Sequence, residues 1–279
     1  FTAEDVAERE AAIRHGKSTG RPLARWTKAD LPLPHLPDKF AAWRTEIANG
    51  CGVVGLSGIP VERWGVETSE CFFWAFGLHL GIPGAQNPQG DLLGHVTNTE
   101  RNKTDPLVRL YQTPADLAYH CDAADVVGLL CLQSAVHGGA SRLASSVPGW
   151  NELWRRDAGK AYRLFEPMYV DLRNEQAEGQ APWNVITPCT YDGKTLRTFY
   201  HSDYFRSVTR HTQISVSEED IRTIDLYDEI ANADEMCFDM QLAPGDIQLI
   251  SNHTIIHART AYADSSERKR HLLRLWLSL

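Results

Sequence analysis

The sequence of 279 residues lacks several features that would place it in a particular class of protein. It contains no stretch of about 18 apolar residues, so we expect no membrane-spanning helix. Its 28 basic and 36 acidic side chains leave a formal net charge of −8, which argues against a broad nucleic-acid surface or a patch for an anionic membrane. No signal peptide is visible at its start. These absences predict a cytoplasmic protein whose partner is a small molecule, and they leave homo-oligomer formation open.

Cysteine is present but unorganised. The six cysteines form no C-x-x-C pair and no regular framework of the kind that disulfide scaffolds and zinc sites require. We therefore predict free thiols in a reducing compartment. These cysteines are Cys51, Cys71, Cys121, Cys131, Cys189 and Cys237.

Linkers and repeats are missing as well. No Ser/Gly/Pro-rich segment, low-complexity stretch or repeat divides the chain. Hydrophobic residues make up 43% and charged residues 23%, the balance of an ordinary globular protein. We therefore predict one domain over residues 1–279, in which 1–90 supply helical and strand support and 91–279 form the core.

Helical and extended patterns alternate in the first third of the chain. Apolar residues recur at helical spacing in Glu4–His15, which Gly16 should close, and in Asp38–Asn49. A third helix is predicted over Thr68–Leu80. The apolar run Cys51–Leu56 is typical of a buried strand.

From about residue 92, short segments rich in branched or aromatic residues are separated by glycine-containing turns. Helical inserts are expected at about 149–165 and from Ser217, whose hydroxyl can cap its helix. Many short strands with long excursions favour a mainly β fold with helical additions, a two-sheet jelly roll, over a parallel α/β sheet. The predicted strands are Leu92–Asn98, Val126–Val136, Leu196–Tyr200, Met236–Leu242, Ile247–Ser251 and His271–Leu279.

The sharpest local feature is the pair His120 and Asp122. On an extended segment residues i and i+2 point to the same face, so an imidazole and a carboxylate could bind one ion here. A bare H-x-D is common, and a polar surface pair explains it equally well. A metal site needs a third ligand from elsewhere in the chain.

His253 and His257 compete for that third place. Two histidines and one carboxylate form the facial triad of non-heme Fe(II) oxygenases. A zinc-type H-x-x-x-H pair would need a helix, which the β-branched residues between the two histidines disfavour. We favour His257, and interpret His253 as either a hydrogen-bonding neighbour of the site or a structural residue.

The last predicted strand carries Arg270 and Arg274 on one face. Arginines on an otherwise apolar strand are costly unless they meet an anion, and the guanidinium fork suits a carboxylate. A salt-bridged edge strand is the alternative interpretation. A metal site nearby would favour a bound dicarboxylate.

Four motifs in this order resemble the taurine dioxygenase-like (TauD/TfdA) family of Fe(II)- and 2-oxoglutarate-dependent dioxygenases. The resemblance covers about residues 90–279, and the ordered set is more specific than any single motif. The motifs are His120-Cys121-Asp122, Gly138-Gly139-Ala140-Ser141, Pro244-Gly245-Asp246 with Asn252 and His257-Ala258-Arg259, and Arg270 with Arg274.

The resemblance implies a double-stranded β-helix of the jelly-roll, cupin-like type. It implies Fe(II) bound by His120, Asp122 and His257, with O₂ as oxidant. It also implies that the co-substrate 2-oxoglutarate chelates the iron through its keto and C1 carboxylate oxygens. The distal carboxylate of 2-oxoglutarate would be held by Arg270 and by Ser141, which stands where the family usually has Thr.

Some positions are less clearly matched. Arg274 corresponds to a position that contacts substrate or co-substrate in some members, and Arg268 competes with Arg270 because the loop after His257 is slightly longer than in taurine dioxygenase. The sulfonate-binding residues of the family do not map cleanly, which argues against taurine as substrate. Halogenating relatives have lost the carboxylate that Asp122 supplies, so its presence favours hydroxylation or another hydrogen abstraction.

Four further residues are candidates for substrate contacts, and each has a structural interpretation beside the functional one. His95 could face the substrate or be a satisfied structural histidine, and Tyr119 could line the pocket or belong to the core. His201 and Arg206 lie in a segment dense in aromatic and polar groups, which is typical of a substrate-facing segment and equally of a polar rim.

The expected function is oxidation of a C–H bond of a small, carboxylate-bearing molecule such as an amino acid or natural-product intermediate. Hydroxylation, desaturation and oxidative cyclisation all fit, with succinate and CO₂ as co-products. The alternatives are a jelly-roll metalloprotein with non-oxidative Zn or Mn chemistry and a non-catalytic ligand-binding barrel. The Arg270 and Ser141 pair argues against the first, and three intact metal ligands argue against the second.

Overall fold

The computed structural model describes residues 2–87, 89–100 and 110–279 of the chain. The α-helices of these residues are α1 (Ala3–Ser18), α2 (Pro37–Asn49), α3 (Val61–Leu80), α4 (Ser146–Arg156), α5 (Ala158–Arg163), α6 (Ser202–Ser207) and α7 (Glu218–Ala231). Their strands are β1 (Val53–Leu56), β2 (Ile82–Gly84), β3 (Leu93–Thr97), β4 (Leu117–His120), β5 (Val126–Gln133), β6 (His137–Gly138), β7 (Ser141–Ser145), β8 (Met168–Asp171), β9 (Trp183–Ile186), β10 (Cys189–Tyr191), β11 (Leu196–Thr198), β12 (Cys237–Met240), β13 (Ile247–Ser251), β14 (Ile255–Arg259), β15 (Tyr262–Ala263) and β16 (His271–Ser278).

Two antiparallel sheets form the jelly roll. The larger sheet has the strand order β1-β13-β5-β16-β2, with β3 also paired to β16, and the smaller has the order β12-β7-β14-β4. Apolar side chains of both sheets meet in one cluster, to which the larger sheet contributes Val127 and Ile250 and the smaller contributes Leu143 and Ile255. The prediction of a mainly β jelly roll with helical additions is confirmed.

The N-terminal helices cover the outer face of the larger sheet. Helix α3 places Phe73 and Phe76 in a core with Leu273 and Leu275 of β16. Gly77 permits this close approach, because a Cβ at that position would lie 2.5 Å from Leu275 Cδ1. Each buried Leu or Phe side chain contributes about 1.5–3 kcal/mol to folding. This core therefore secures the strand that carries the predicted arginines.

A second helical layer lies on the smaller sheet. Residues of α4, α6 and α7, among them Leu153, Phe205 and Tyr227, share a core with Tyr119 of β4. Helix α7 begins as predicted, because the Ser217 hydroxyl accepts a hydrogen bond from the backbone N of its third residue at 3.0 Å. This layer backs the strand that leads to the H-x-D pair.

Three N-terminal predictions were wrong in their boundaries. Helix α3, predicted from Thr68, begins at Val61 and is kinked at Gly65, whose φ is +69°. Helix α1 continues through Gly16. Packing explains the glycine at this position, because a Cβ would lie 2.9 Å from the indole ring of Trp26. The buried strand expected from Cys51 begins only at Val53, and Val54 is its one buried residue. Cys51 itself lies before this strand and is exposed. Strand β1 is at the edge of its sheet and pairs with β13.

The helical insert predicted at about 149–165 is two helices. Asp157 adopts an extended conformation (φ −154°, ψ 97°), which ends α4. Its side chain then accepts a hydrogen bond from Lys160 N and caps α5. An Asp at this position favours a helix start over a helix interior.

Two of the predicted absences concern the whole described chain. None of the six cysteines, all of which lie within the described residues, forms a disulfide. No helix in the described part of the chain is long and apolar enough to cross a membrane. The single-domain organisation stays a prediction.

Candidate active site

The three predicted metal ligands lie together between two neighbouring strands. His120 is the last residue of β4, Asp122 follows two residues later, and His257 lies on β14 in register with His120. The distance from Asp122 Oδ1 to His120 Nε2 is 4.0 Å, and from Asp122 Oδ2 to His257 Nε2 it is 3.7 Å. Although β4 ends at His120, the carboxylate still reaches the face that the histidines share.

The chemistry of this donor set fits a ferrous ion. Within residues 2–87, 89–100 and 110–279, it is the one group of three His, Cys, Asp or Glu side chains whose ligand atoms all lie within 4.8 Å of one another. Atoms that share an ion through bonds of about 2.1 Å lie at most about 4.2 Å apart, and both measured separations satisfy this limit. Two imidazoles and one carboxylate are the ligands of the facial triad.

The protonation states suit a metal as well. Burial, with a contribution from the neighbouring His120, lowers the pKa of His257 to about 3, so its imidazole is neutral. Burial alone would raise the pKa of Asp122, but Arg274, His257 and His120 outweigh it and hold the pKa below its ordinary value. The Nδ1–H of His120 donates to the Ala118 carbonyl at 3.0 Å, which leaves Nε2 as the free lone pair.

The loop before β14 separates the two competing histidines. Asn252 is buried, and its Oδ1 accepts a hydrogen bond from the backbone N of Asp122 at 3.0 Å. The side chain of His253 points away from the three predicted ligands, and its Nε2 lies 2.8 Å from Asp125 Oδ1. The structure therefore brings His257, and not His253, to the H-x-D pair.

Two cavities meet at the triad, and His120, Asp122 and Arg274 line both of them. We call one the arginine cavity, because Ser141, Arg259 and Arg270 line it. We call the other the aromatic cavity, because rings form much of its wall. The rings of the aromatic cavity include those of Tyr111, Phe199, His201, Tyr204 and Trp276.

The arginine cavity contains two buried cations without a carboxylate partner among the described residues. Nη1 of Arg270, and Nε and Nη1 of Arg259, are buried without a hydrogen-bond partner. Both guanidinium groups contact the Tyr262 ring, at 5.2 and 4.8 Å from its centroid. Burial lowers the pKa of Arg259 to about 10 and also lowers that of Arg270. Since buried cations are costly without an anion, this cavity is suited to a carboxylate ligand.

A glycine turn makes room for Arg270. Gly139 has a φ of +76°, in the left-handed region, and a Cβ there would lie 3.0 Å from Arg270 Nε. Ser141 follows on β7 and lines the same cavity. The Gly138-Gly139-Ala140-Ser141 motif thus supplies the space for the guanidinium and a hydroxyl beside it.

Arg268, the competitor of Arg270, lies outside both cavities. Its side chain is exposed, its Nε donates to the Ser134 carbonyl at 3.0 Å, and its Nη2 contacts the Ser134 hydroxyl. Arg270 is buried and directly precedes β16, whereas Arg268 lies two residues earlier in the loop between β15 and β16. The structure places Arg270, and not Arg268, beside Ser141.

Arg274 lies on the boundary between the two cavities. Its guanidinium carbon lies 4.5 Å from the Tyr111 ring centroid and 5.1 Å from that of Trp276. Its Nε donates to Gln86 Oε1 at 2.7 Å. Cation–π contacts of this kind hold a guanidinium in one orientation while its remaining N–H groups stay available.

The aromatic cavity has a volume of about 240 Å³. His201 stacks on Tyr204, with ring centroids 3.5 Å apart, and lies 5.2 Å from the His120 ring. Asp203, Arg173 and Glu175 line the same cavity. Drug-sized ligands occupy pockets of about 300–1,000 Å³, so this cavity suits a smaller molecule.

Three of the four residues predicted to contact substrate lie elsewhere. The His95 side chain points to the helix-covered face of the sheet, where its Nε2 is 3.5 Å from Glu70 of α3. Tyr119 is in the core, and its hydroxyl donates to the Ala231 carbonyl at 2.7 Å. Arg206 forms ion pairs with Asp225 and Asp228, the latter at 2.7 Å. In each case strand or helix parity turns the side chain away from the triad, and His201 is the one that lines the cavity.

Several residues that line the cavities were missed. Arg259 follows His257 by two positions, so strand alternation alone would have placed it on the same side. Asp203 lies within the aromatic and polar segment that contains His201 and Arg206, but the sequence pattern did not predict helix α6, which orients its side chain. Trp276 follows Arg274 by two positions on β16, so strand alternation would have placed it as well. Tyr111 had no local signal, because it lies on a short 3-10 helix, Leu110–Gln112, that the pattern did not predict.

Comparison with known proteins agrees with this geometry. A family described as taurine catabolism dioxygenase TauD, TfdA family matches residues 19–276. The FR-33289 synthase of Streptomyces rubellomurinus is 30% identical over 256 residues, covering 89% of this chain and 75% of that protein. The taurine hydroxylase-like protein SAT17 of Stachybotrys chartarum is 27% identical over 288 residues, covering 97% of this chain and 72% of that protein.

Solved structures share the fold at low sequence identity. An asparagine oxygenase in complex with Fe(II), 2S,3S-3-hydroxyasparagine and succinate superposes with a TM-score of 0.78 at 16% identity, covering 99% of this chain and 92% of that one. The non-heme iron oxygenase OrfP in complex with Fe, succinate and (3S)-hydroxy-L-Arg superposes with a TM-score of 0.71 at 14% identity, covering 100% and 93%.

Proposed function

The chain belongs to the taurine catabolism dioxygenase TauD, TfdA family, and from this premise we propose how its residues share the reaction. It is a non-heme dioxygenase that uses Fe(II), 2-oxoglutarate and O₂ to oxidise a C–H bond of a small molecule. We propose that His120, Asp122 and His257 hold the iron. The arginine cavity holds 2-oxoglutarate, and the aromatic cavity holds the substrate.

One observation carries this division of labour: two cavities of different character meet at the triad. When bound, iron and 2-oxoglutarate reduce O₂ with release of succinate and CO₂ and provide the oxidant that removes a substrate hydrogen. Arg270 neutralises the distal carboxylate of the co-substrate, and Ser141 donates a hydrogen bond to it. Arg259 adds a second positive charge on the same side.

The substrate is oriented by charge at the boundary of the cavities. Arg274 presents a fixed guanidinium to the aromatic cavity, which suits a carboxylate or another anion on the substrate. The rings of His201 and Tyr204 shape the wall on the side of His120. Holding the target carbon beside the iron is the main catalytic contribution of these residues.

The retained carboxylate of Asp122 favours hydroxylation, with desaturation or oxidative ring closure as further outcomes of the same hydrogen abstraction. Two of the similar structures contain hydroxylated amino acids, and one similar protein is a synthase. A small amino acid or natural-product intermediate therefore fits the cavity. A cytoplasmic location and the oligomeric state stay predictions.

A binding experiment tests this assignment. Fe(II) and 2-oxoglutarate are added without oxygen, and the visible charge-transfer band of the chelated keto acid is followed, with succinate measured after aeration. The wild type should give both signals, His257→Ala should give neither, and His253→Ala should retain both. A band that survives in His257→Ala but disappears in His253→Ala would show that the wrong histidine was assigned.

A further inference from the structure

One residue that lines the aromatic cavity has a carboxylate oxygen that no described residue satisfies. Asp203 lines this cavity together with His120 and Arg274. Its Oδ2 is buried and has no hydrogen-bond partner among the described residues. A buried anionic oxygen without a partner is costly, and such groups in a ligand cavity are normally satisfied by the ligand.

The position of Asp203 is fixed by its neighbours. The backbone of His201 forms a β-bridge with His120, and Cys121 N donates to the Tyr200 carbonyl at 2.6 Å. The Ser202 hydroxyl donates to Asp228 Oδ2 at 2.5 Å. The residues directly before Asp203 are therefore attached to the end of β4, which carries His120, and this fixes the start of the helix on which Asp203 lies.

Nearby positive charge is engaged elsewhere. Arg206, one turn further along α6, forms its ion pairs with Asp225 and Asp228. The guanidinium carbon of Arg173 lies 5.6 Å from the Tyr204 ring centroid, over the ring face. Burial raises the pKa of Asp203, with His120 and Arg173 opposing and Asp228 and Asp116 adding to the rise. A cation beside this carboxylate would relieve the cost of its burial.

Arg274 supplies the opposite charge in the same cavity. Since Asp203 and Arg274 both line a space of about 240 Å³, one small molecule can reach both side chains. We propose that Asp203 binds an ammonium or guanidinium group of the substrate while Arg274 binds its anion, so that the enzyme selects small zwitterions. This inference rests on the proposed function, because it names the substrate class of the same site.

The test compares matched compounds. Each free L-amino acid of a panel is paired with its N-acetyl derivative and its 2-hydroxy analogue, which have a similar size and the same carboxylate but no ammonium group. Binding is followed through the change in the Fe(II)–2-oxoglutarate band, and turnover through substrate-dependent succinate. The wild type should prefer at least one amino acid over both of its analogues by tenfold or more.

Asp203→Asn should lose that preference, with kcat/KM for the amino acid falling by about 10- to 100-fold, as expected for a lost charged hydrogen bond of about 1.5–3 kcal/mol. Its KM for 2-oxoglutarate should stay within twofold, which also shows that the variant is folded. Asp116→Asn is the matched control, because Asp116 is exposed and does not line the cavity although its charge acts on Asp203.

Three results would overturn the inference: equal use of amino acids and their uncharged analogues, an unchanged preference in Asp203→Asn, or no cation-bearing compound that binds. In each of these cases the band and the substrate-independent succinate of the wild type would remain. If the wild type gives neither band nor succinate, the proposed function itself fails, so the two failures are distinguishable.

Discussion

Replacement of Arg270 gives the sharpest test of the arginine cavity. Arg270→Ala removes a guanidinium that is 4% exposed and whose Nη1 has no hydrogen-bond partner among the described residues. We expect the KM for 2-oxoglutarate to rise steeply, while Fe(II) binding changes little. The matched control is Arg268→Ala, since Arg268 differs by two positions and lies on the surface against Ser134.

The size of the effect follows from the burial of the ion pair that Arg270 would form with the distal carboxylate of 2-oxoglutarate. Removing one partner of a buried ion pair costs about 3–5 kcal/mol, and the presence of Arg259 in the same cavity favours the lower end of that range. A loss of about 3 kcal/mol corresponds to a rise in KM on the order of 100-fold. Arg270→Lys keeps the charge but loses the planar fork, so about tenfold is expected.

The assay is an anaerobic titration of the Fe(II) protein with 2-oxoglutarate, read from the charge-transfer band, with succinate formation as a second measurement. The stability of the free protein should fall little, because the Arg270 guanidinium has a single hydrogen bond to the described residues, a long contact of 3.5 Å from Nη2 to the Gly139 carbonyl. If Arg268→Ala raises the KM and Arg270→Ala does not, the assignment of the cavity is wrong.

Three further outcomes are expected. Ser141→Ala should raise the KM for 2-oxoglutarate about tenfold, because one hydrogen bond to a charged group contributes about 1.5 kcal/mol, and an unchanged KM would exclude a contact. Gly139→Ala should also weaken 2-oxoglutarate binding but not Fe(II) binding in the same titration, since its Cβ would meet Arg270 Nε at 3.0 Å and its φ is +76°. Although burial opposes ionisation of Asp171, hydrogen bonds led by that from Arg210 lower its pKa from 3.8 to about 2. The resulting stability, about 2 kcal/mol, is present above pH 3.8 and lost as the pH falls towards 2. Asp171→Asn should remove this pH dependence in denaturant titrations, and a dependence that persists would contradict the assignment.

Much of the fold could be predicted because the signals are local. Ser217 caps α7 through a hydrogen bond three residues away, and Pro244-Gly245-Asp246 makes the turn before β13, with Gly245 at a φ of +90°. The boundaries that failed depend on distant partners. Gly16 lies inside helix α1 instead of ending it, because Trp26 packs against it, and the helical pattern of the sequence does not indicate that contact.

The candidate site likewise has a part that could be predicted from the sequence and a part that could not. The types of ligand, two imidazoles and a carboxylate, could be recognised from H-x-D and a later histidine. The substrate contacts could not: His95 and Tyr119 lie on the faces of their strands that turn away from the triad. Asp203, which lines the aromatic cavity, was not among the predicted contacts.

The sequence by itself determined the chemistry that we propose for this protein: the proposed iron ligands, the arginine strand proposed to bind a dicarboxylate and the β-rich fold could all be predicted from local patterns and short motifs. Only the tertiary structure decided between neighbours of the same type. His257 was separated from His253, and Arg270 from Arg268, by which side chain faces inward. Alternation along a strand could not make this choice, because the members of each pair are an even number of residues apart. The physical reason is where the paired strands begin: His257 lies on β14 opposite His120 and Arg270 directly precedes β16, whereas His253 and Arg268 lie further out in the preceding loops.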